Sequence, residues 1–299
     1  MKKRSLFMLL ICVAWLCVCA CGKEAEETTW NVWSYEKQKD IISIEELDFE
    51  QIYAEGVEVS TYRIKYQSDD CEVVSYLSVP IACLEEKKAY PCIIYNRGGN
   101  QDYGANKPED IAYLAESSGK IIFASQYRGV DGGTGKEQYG GDDLHDVLKL
   151  VDFCEEFSFV DMDKLYMMGV SRGGMMTYMA IREDDRIKKA VIVSGLADLF
   201  MSCEERTDMK QLCMELIDVS PEEKPEEYEK RSATYWADEI NCPVLMIHSK
   251  LDEKVSFAQA EKMANALDEA EKEYKFVTYE DDVHGLHTED FEIIMDWCN

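Results

Sequence analysis

Residues 169–174 read Gly169-Val170-Ser171-Arg172-Gly173-Gly174, a serine with glycine two positions away on either side. The string follows a strand-like run, KLYMMG, and precedes a helix-like one, MMTYMAI. In that setting the spacing predicts a serine hydroxyl on a sharp, strained turn above a sheet, with the glycines leaving room where side chains would clash. The start of the helix also favours negative charge nearby. Such a hydroxyl becomes a nucleophile only with a general base, and the base needs an acid to orient it. The chain has four histidines, His145, His248, His284 and His287. His145 falls in an amphipathic helical pattern at 142–157 and reads as a surface residue, while His248 ends an apolar strand and reads as packed there. His284, in the loop Asp282-Val283-His284-Gly285 after the strand YKFVTYE, is preferred as the base over His287, at the start of the last helix. Asp252 stands just past the strand PVLMIHS and is the expected acid, with Glu253 its nearest rival. The chemistry these residues point to is acyl transfer through Ser171. The oxyanion it generates needs two preorganised N–H donors. One is expected from the backbone of Arg172, the other from the loop Arg97-Gly98-Gly99-Asn100 after the strand CIIYN, where two glycines let the backbone approach closely.

The elements that must position these residues follow from periodicity. From Gly56, VEVSTYRIKY and CEVVSYLSVP, separated by QSDD, predict a hairpin. Short apolar strands follow at 92–96, 120–125, 164–170, 188–195, 243–249 and 274–280, alternating with stretches of helical spacing such as Leu144, Val147, Leu148, Val151 and Cys154. Continuous apolar strands alternating with helices imply a mostly parallel sheet covered on both faces. The fold class is therefore α/β, and the order Ser, Asp, His along the chain is that of the α/β-hydrolase fold. One segment, 201–238, is long and acidic and lacks a strand. It reads as a small helical insertion lying over the strand C-terminal ends, where open α/β sheets bind ligands.

With those residues in place, the chain from about 57 to 299 resembles the catalytic domain of the prolyl oligopeptidase (S9) family. The doubled glycine of Gly-x-Ser-x-Gly-Gly is that family's nucleophile form. Tyr127-Arg128-Gly129 with Gly132-Gly133-x-Gly135, the lead-in Asp161-x-Asp163-Lys164, and PVLMIHSKLDEKVSFAQAEKMANAL, carrying Asp252 and Gln259, are similar to further segments of the family. The resemblance implies an α/β-hydrolase fold and a Ser171–His284–Asp252 triad. Two departures stand out. Fewer than 40 residues lie between Cys21 and the first expected strand, so the β-propeller that precedes most of these peptidases is not expected. Arg97, in NRGGN, takes the place of the tyrosine whose hydroxyl completes the family's oxyanion hole, so the hole is expected to use a backbone N–H or the Arg97 guanidinium.

The front of the chain reads as an address. Lys2, Lys3 and Arg4 precede an apolar run from Leu6 to Ala20, too short to span a membrane as a helix and shaped like an export signal. Val18-Cys19-Ala20-Cys21-Gly22 resembles a bacterial lipobox, in which the cysteine is acylated by diacylglycerol and becomes the new N-terminus. The domain reading is then a signal at 1–20, a polar tether and extension at 21–56 anchored through Cys21, and a catalytic domain at 57–299. The expected location is outside the bacterial cytoplasmic membrane, held by lipid.

Composition sets the remaining bounds. The 299 residues are 46% hydrophobic and 11% aromatic, enough for a folded core. With 60 Asp+Glu against 32 Lys+Arg, the net charge of -28 disfavours nucleic-acid partners and electrostatic docking on anionic lipid. A lipid anchor supplies the membrane affinity that such a surface cannot. Eight cysteines fall in the body without metal-like spacing; Cys92 and Cys242 open apolar strands and read as core thiols, and no disulfide pairing is assigned. No metal cluster, dinucleotide fingerprint or cofactor lysine appears, so no cofactor is expected. The expected function is a serine hydrolase cleaving short peptides or esters. The alternatives are a carboxylesterase or acetylesterase without peptidase activity, and a non-catalytic ligand-binding lipoprotein.

Overall fold

After an N-terminal run of three strands the chain alternates strands with helices, and the structure, a computed structural model, describes residues 30–50, 52, 53 and 55–299. The signal-like segment and Cys21 lie outside the described residues. The strands are β1 (Ile41–Leu47), β2 (Val59–Ser68), β3 (Cys71–Pro80), β4 (Tyr90–Asn96), β5 (Ile121–Ser125), β6 (Val160–Val170), β7 (Lys189–Val193), β8 (Val244–Ser249) and β9 (Tyr274–Tyr279). The helices are α1 (Ile81–Glu85), α2 (Pro108–Ser118), α3 (Asp143–Glu156), α4 (Arg172–Glu183), α5 (Leu199–Glu205), α6 (Thr207–Ile217), α7 (Pro225–Glu229), α8 (Phe257–Glu269) and α9 (Asp290–Trp297). The strands form one sheet in the order β1-β2-β3-β5-β4-β6-β7-β8-β9. β1, β2, β3 and β5 pair antiparallel in turn, and every pair from β5 through β4 to β9 is parallel.

Burial follows the period of two. On β7, Ala190 and Ile192 join the core beneath α3, α4 and α8, while Val191 and Val193 join the core beneath α2 and α9. All six residues of β8 are buried, as expected of a parallel strand covered on both faces. α2 starts with Pro108 in its first turn, where a missing N–H costs nothing, and ends at Gly119 in the left-handed region at φ 62°.

The topology decides where a site can form. β4 is flanked by β5 on one side and β6 on the other, so the connections leaving β4 and β5 run in opposite directions across the sheet. A crevice opens at that switch, outside the strand C-termini. The register pairs Asn96 with Gly169, which sets the loop after β4 directly beside the turn after β6.

Within 21–56, read as a polar tether and extension, the described residues from 30 onward include a segment folded onto the domain. Val32 and Tyr35 are buried in the main core, and Ile41–Leu47 forms β1, antiparallel to β2. Tyr35 packs on Phe157 at 4.7 Å and donates to Ser158 Oγ at 3.1 Å. A register irregularity between Ile41 and Ser43 breaks the alternation, so this strand lacks the period that would announce it. The insertion at 201–238 is helical, formed by the rest of α5, α6, α7 and short 3-10 turns at Ala233–Tyr235 and Ala237–Glu239. Among the described residues no helix is long and apolar enough to cross a membrane.

Candidate active site

Ser171 stands between β6 and α4 at φ 58° and ψ -122°, a conformation that L residues adopt only under strain. Its neighbours explain the glycines. A Cβ on Gly169 would lie 2.0 Å from Gly173 O, and one on Gly173 would lie 2.0 Å from Asn96 O. The turn is held by Ser171 N–H to Val193 O at 2.9 Å and Gly174 N–H to Ser171 O at 2.9 Å. α4 begins at Arg172, so its positive end faces the serine.

Asp252 follows β8 and His284 follows β9, and the two meet: His284 Nδ1 lies 2.8 Å from Asp252 Oδ2. The other oxygen, Oδ1, accepts the N–H groups of Lys254 at 2.8 Å and Val255 at 3.1 Å, which fixes the carboxylate plane. Burial works against this charge, but hydrogen bonds from His248, His284 and the Lys254 N–H outweigh it and hold the carboxyl well below the usual carboxylate range. Ser171 and His284 line the same cleft, with no hydrogen bond between them among the described residues. Such bonds are often long before substrate binds and tighten in the complex.

The rival histidines are engaged elsewhere. His145 is exposed, with Nδ1 at 2.8 Å from Asp69. His287 stacks on Tyr279 with ring centres 3.8 Å apart, and its Nε2 lies 3.1 Å from both Asp281 oxygens. His248 is buried as expected, but it also does something the sequence reading did not give it. Its Nε2 lies 2.9 Å from Val255 O and 3.4 Å from Asp252 Oδ2, so it braces the acid from behind. Ser194, itself at φ 45°, accepts the Gly285 N–H at 3.1 Å and pins the histidine loop. The four-residue spacing from His248 to Asp252 was the one available signal for the first; nothing in the local sequence marks Ser194.

The loop after β4 divides its expected roles. A Cβ on Gly98 would lie 3.2 Å from Ser171 Cβ and 3.9 Å from Ser171 Oγ, so this backbone abuts the Ser171 side chain. The Arg97 guanidinium does not reach the cleft, which corrects the expectation that it could act as an oxyanion donor. It is 1% exposed and donates to Gln126 O at 3.1 and 3.0 Å, Gln101 O at 2.9 Å and Gly98 O at 3.1 Å. A buried guanidinium must satisfy its donors, and the loop's own carbonyls are the nearest acceptors.

Ser171, Arg172, Gly98 and His284 share a cleft of about 660 Å³ with Tyr103 and with Arg206, Met209 and Leu212 from the insertion. The eight body cysteines are thiols; Cys92 is fully buried, its Sγ 3.7 Å from that of Cys154, and Cys242 is half-buried. Among the described residues no group of His, Cys, Asp and Glu is arranged to hold a metal ion.

Comparison with known proteins gives a consistent picture. Residues 106–297 match the model of the prolyl oligopeptidase family. The uncharacterized peptidase YtmA of Bacillus subtilis (strain 168) is 31% identical over 215 residues, 72% of this chain and 82% of that protein. An acylaminoacyl peptidase solved with Z-Gly-Gly-Phe-chloromethyl ketone superimposes with a TM-score of 0.70 at 23% identity, covering 80% of this chain and 41% of that one. The acetyl xylan esterase from Paenibacillus sp. R4 superimposes with a TM-score of 0.68 at 18% identity, covering 90% and 92%. At such identities the two solved structures speak for a shared α/β-hydrolase fold.

Proposed function

The chain belongs to the prolyl oligopeptidase family and is a serine hydrolase, and from that premise we propose that Ser171, His284 and Asp252 form its catalytic triad, acting on short peptides or esters. Ser171 Oγ attacks the substrate carbonyl while His284 Nε2 takes the hydroxyl proton. Asp252, bonded to Nδ1–H, keeps the imidazole in the tautomer that leaves Nε2 free and stabilises the imidazolium that forms. The oxygen that becomes negative sits against the backbone N–H groups of Arg172 and Gly98. Collapse expels an amine or alcohol that takes the proton from His284, and water then repeats the sequence to release the acid. The observation that carries the reading is the 2.8 Å bond between His284 and Asp252 in the cleft that also holds the strained Ser171.

The internal engagement of Arg97 favours esters as the second reading. With two backbone donors and no side-chain hydroxyl at that position, the hole suits a better leaving group than an amide. Labelling residues 22–299 with a fluorophosphonate tests the proposal: the adduct is expected on Ser171 and is abolished by Ser171→Ala and His284→Ala. Folded wild type that fails to label sinks it. A paired screen of peptide amides and short-chain esters then separates the two substrates. We also propose that Cys21 carries a lipid that holds the enzyme outside the cytoplasmic membrane, supported by the basic start, the short apolar run and the Val18–Cys21 string. Cys21→Ser is expected to move the protein from the membrane fraction to the soluble one; unchanged partition overturns this.

A further inference from the structure

Beneath the nucleophile lies a buried charge cluster that the triad does not use. Arg97, Arg172, Glu137 and Asp143 are each no more than 3% exposed. Glu137, on the loop between β5 and α3, touches both walls of the oxyanion site. Its Oε2 accepts the Gln101 N–H at 2.6 Å and lies 3.8 Å from Arg97 Nη2. Its Oε1 pairs with Arg172 Nη1. Gln101 is held at φ 49°, and the loop around it closes through Asn100 N–H to Tyr103 O at 3.0 Å and Tyr103 N–H to Asn100 O at 2.9 Å. Arg172 also pairs with Asp143 and donates to Gly99 O at 3.2 Å. Both guanidinium groups lie over the Tyr127 ring, at 4.9 Å for Arg97 and 4.7 Å for Arg172.

We propose that Glu137 is a positioning residue that locks the two oxyanion donors into register, by tying the Arg172 side chain, whose own N–H is one donor, to the loop whose Gly98 N–H is the other. This rests on the oxyanion assignment above. Two buried guanidinium groups and two buried carboxylates are a costly way to hold a core, since well-packed apolar groups do as well or better. What a carboxylate between two guanidinium groups adds is a fixed geometry, with directional bonds to two segments whose other links at this level are the Asn96–Gly169 pairing, the single Arg172 bond to Gly99 O and the contact of Gly98 with Ser171. The two donors follow different strands, Gly98 in the loop after β4 and Arg172 at the start of α4 after β6, so a shift of either by a fraction of an ångström separates them from a single oxygen.

The test is Glu137→Gln, which keeps the shape and a carbonyl for the Gln101 N–H but not the charge, with Glu137→Ala beside it. The readouts are kcat and KM on the best ester from the screen, the rate of fluorophosphonate inactivation, and affinity for an alkyl boronate, which forms the tetrahedral adduct. Loss of donor alignment is expected to lower kcat roughly 10- to 100-fold with KM within twofold, and to weaken the boronate by a similar factor. A merely structural role lowers Tm and leaves these values unchanged per folded molecule. If neither variant folds, Arg97→Lys, which keeps the charge balance and shortens one arm of the lock, must show the same loss. A kcat within threefold of wild type in the folded variant overturns the proposal. If Ser171→Ala retains activity, the nucleophile assignment has failed instead.

Discussion

Replacing Asp252 by asparagine separates what the carboxylate does for catalysis from what it does for stability. Oδ1 is pinned by the N–H groups of Lys254 and Val255, which demand an acceptor. The new amide must therefore turn its oxygen to those donors and its NH2 to His284 Nδ1. A donor there forces His284 to protonate at Nε2, the nitrogen that must accept the Ser171 proton. Loss of the productive tautomer in a serine triad lowers kcat by about 10⁴, or roughly 5.5 kcal/mol of barrier. The fold should lose less, about 2–3 kcal/mol for charge-assisted hydrogen bonds replaced by neutral ones. Asp252→Ala imposes no tautomer but leaves the N–H groups of Lys254 and Val255 and the His284 Nδ1–H without their acceptor, so it should be the less stable variant while no less active than Asp252→Asn. The assay is ester turnover with urea denaturation in parallel. The sign of the pH dependence follows from the depressed carboxyl: its contribution to stability is complete above the unfolded value of about 3.9 and is lost as pH falls through the lower folded value. The stability gap between wild type and Asp252→Asn should thus be constant near neutrality and close in acid. A folded Asp252→Asn retaining more than a tenth of wild-type kcat would refute the assignment of the acid.

Three further outcomes follow. Gly98→Ala places a Cβ 3.1 Å from Val170 O and 3.2 Å from Ser171 Cβ and must push this backbone, with its N–H, away from Ser171; kcat should fall about 100-fold with a stability change under about 1 kcal/mol, and retention of a third of kcat would show that this close approach is not needed for turnover. Tyr35→Ala removes a ring packed on Phe157 and Phe159 and should cost about 3 kcal/mol in chemical denaturation, whereas a value within about 0.5 kcal/mol would restore the tether reading. Burial pushes the thiols of Cys83 and Cys242 up to about 12 and that of Cys298 up to about 11, so iodoacetamide at pH 8 should spare all three until the protein is denatured. Peptide mapping that finds any of them alkylated at the denatured rate in native protein contradicts their burial.

The parts of the molecule legible in sequence were those with a local period or a local turn. The hairpin of β2 and β3 and the parallel strands each carry their own apolar run, bounded by polar turns. Ser171, Asp252 and His284 each sit one loop beyond such a run, which is why their convergence at one end of the sheet could be read from strand positions. β1 was missed because its buried residues, Ile41 and Ile44, straddle an irregular pairing and leave no alternation. The role of Arg97 was misjudged because a basic residue beside two glycines suggests a donor for substrate, while its burial depends on Gln126, 29 residues away. Glu137 carries no motif at all. Its importance arises from contacts with residues 36 positions earlier and 35 later, which only the closed fold assembles.

On the proposed assignment, the charge distribution around Ser171 accounts for how so acidic a protein would stabilise an oxyanion. A net charge of -28 opposes any new negative charge, and salt screens exposed carboxylates only partly at cleft distances. A bare cation beside the site would answer this, but it would also pair with Asp252 or with a substrate carboxylate. The two buried arginines beneath Ser171, Arg97 and Arg172, are instead matched by Glu137 and Asp143, and Arg206 on the cleft wall is paired with Asp208, so they contribute rigidity with little net charge. On the proposed assignment, what faces the carbonyl is the dipole of α4 and the two backbone N–H groups, which act at short range. Such stabilisation depends on geometry far more than on ionic strength. Turnover of a neutral ester should therefore change little between 0.05 and 0.5 M salt, which are ~14 and ~4 Å of screening length. A steep fall in kcat with salt would mean that a net positive field, and not aligned dipoles, holds the oxyanion.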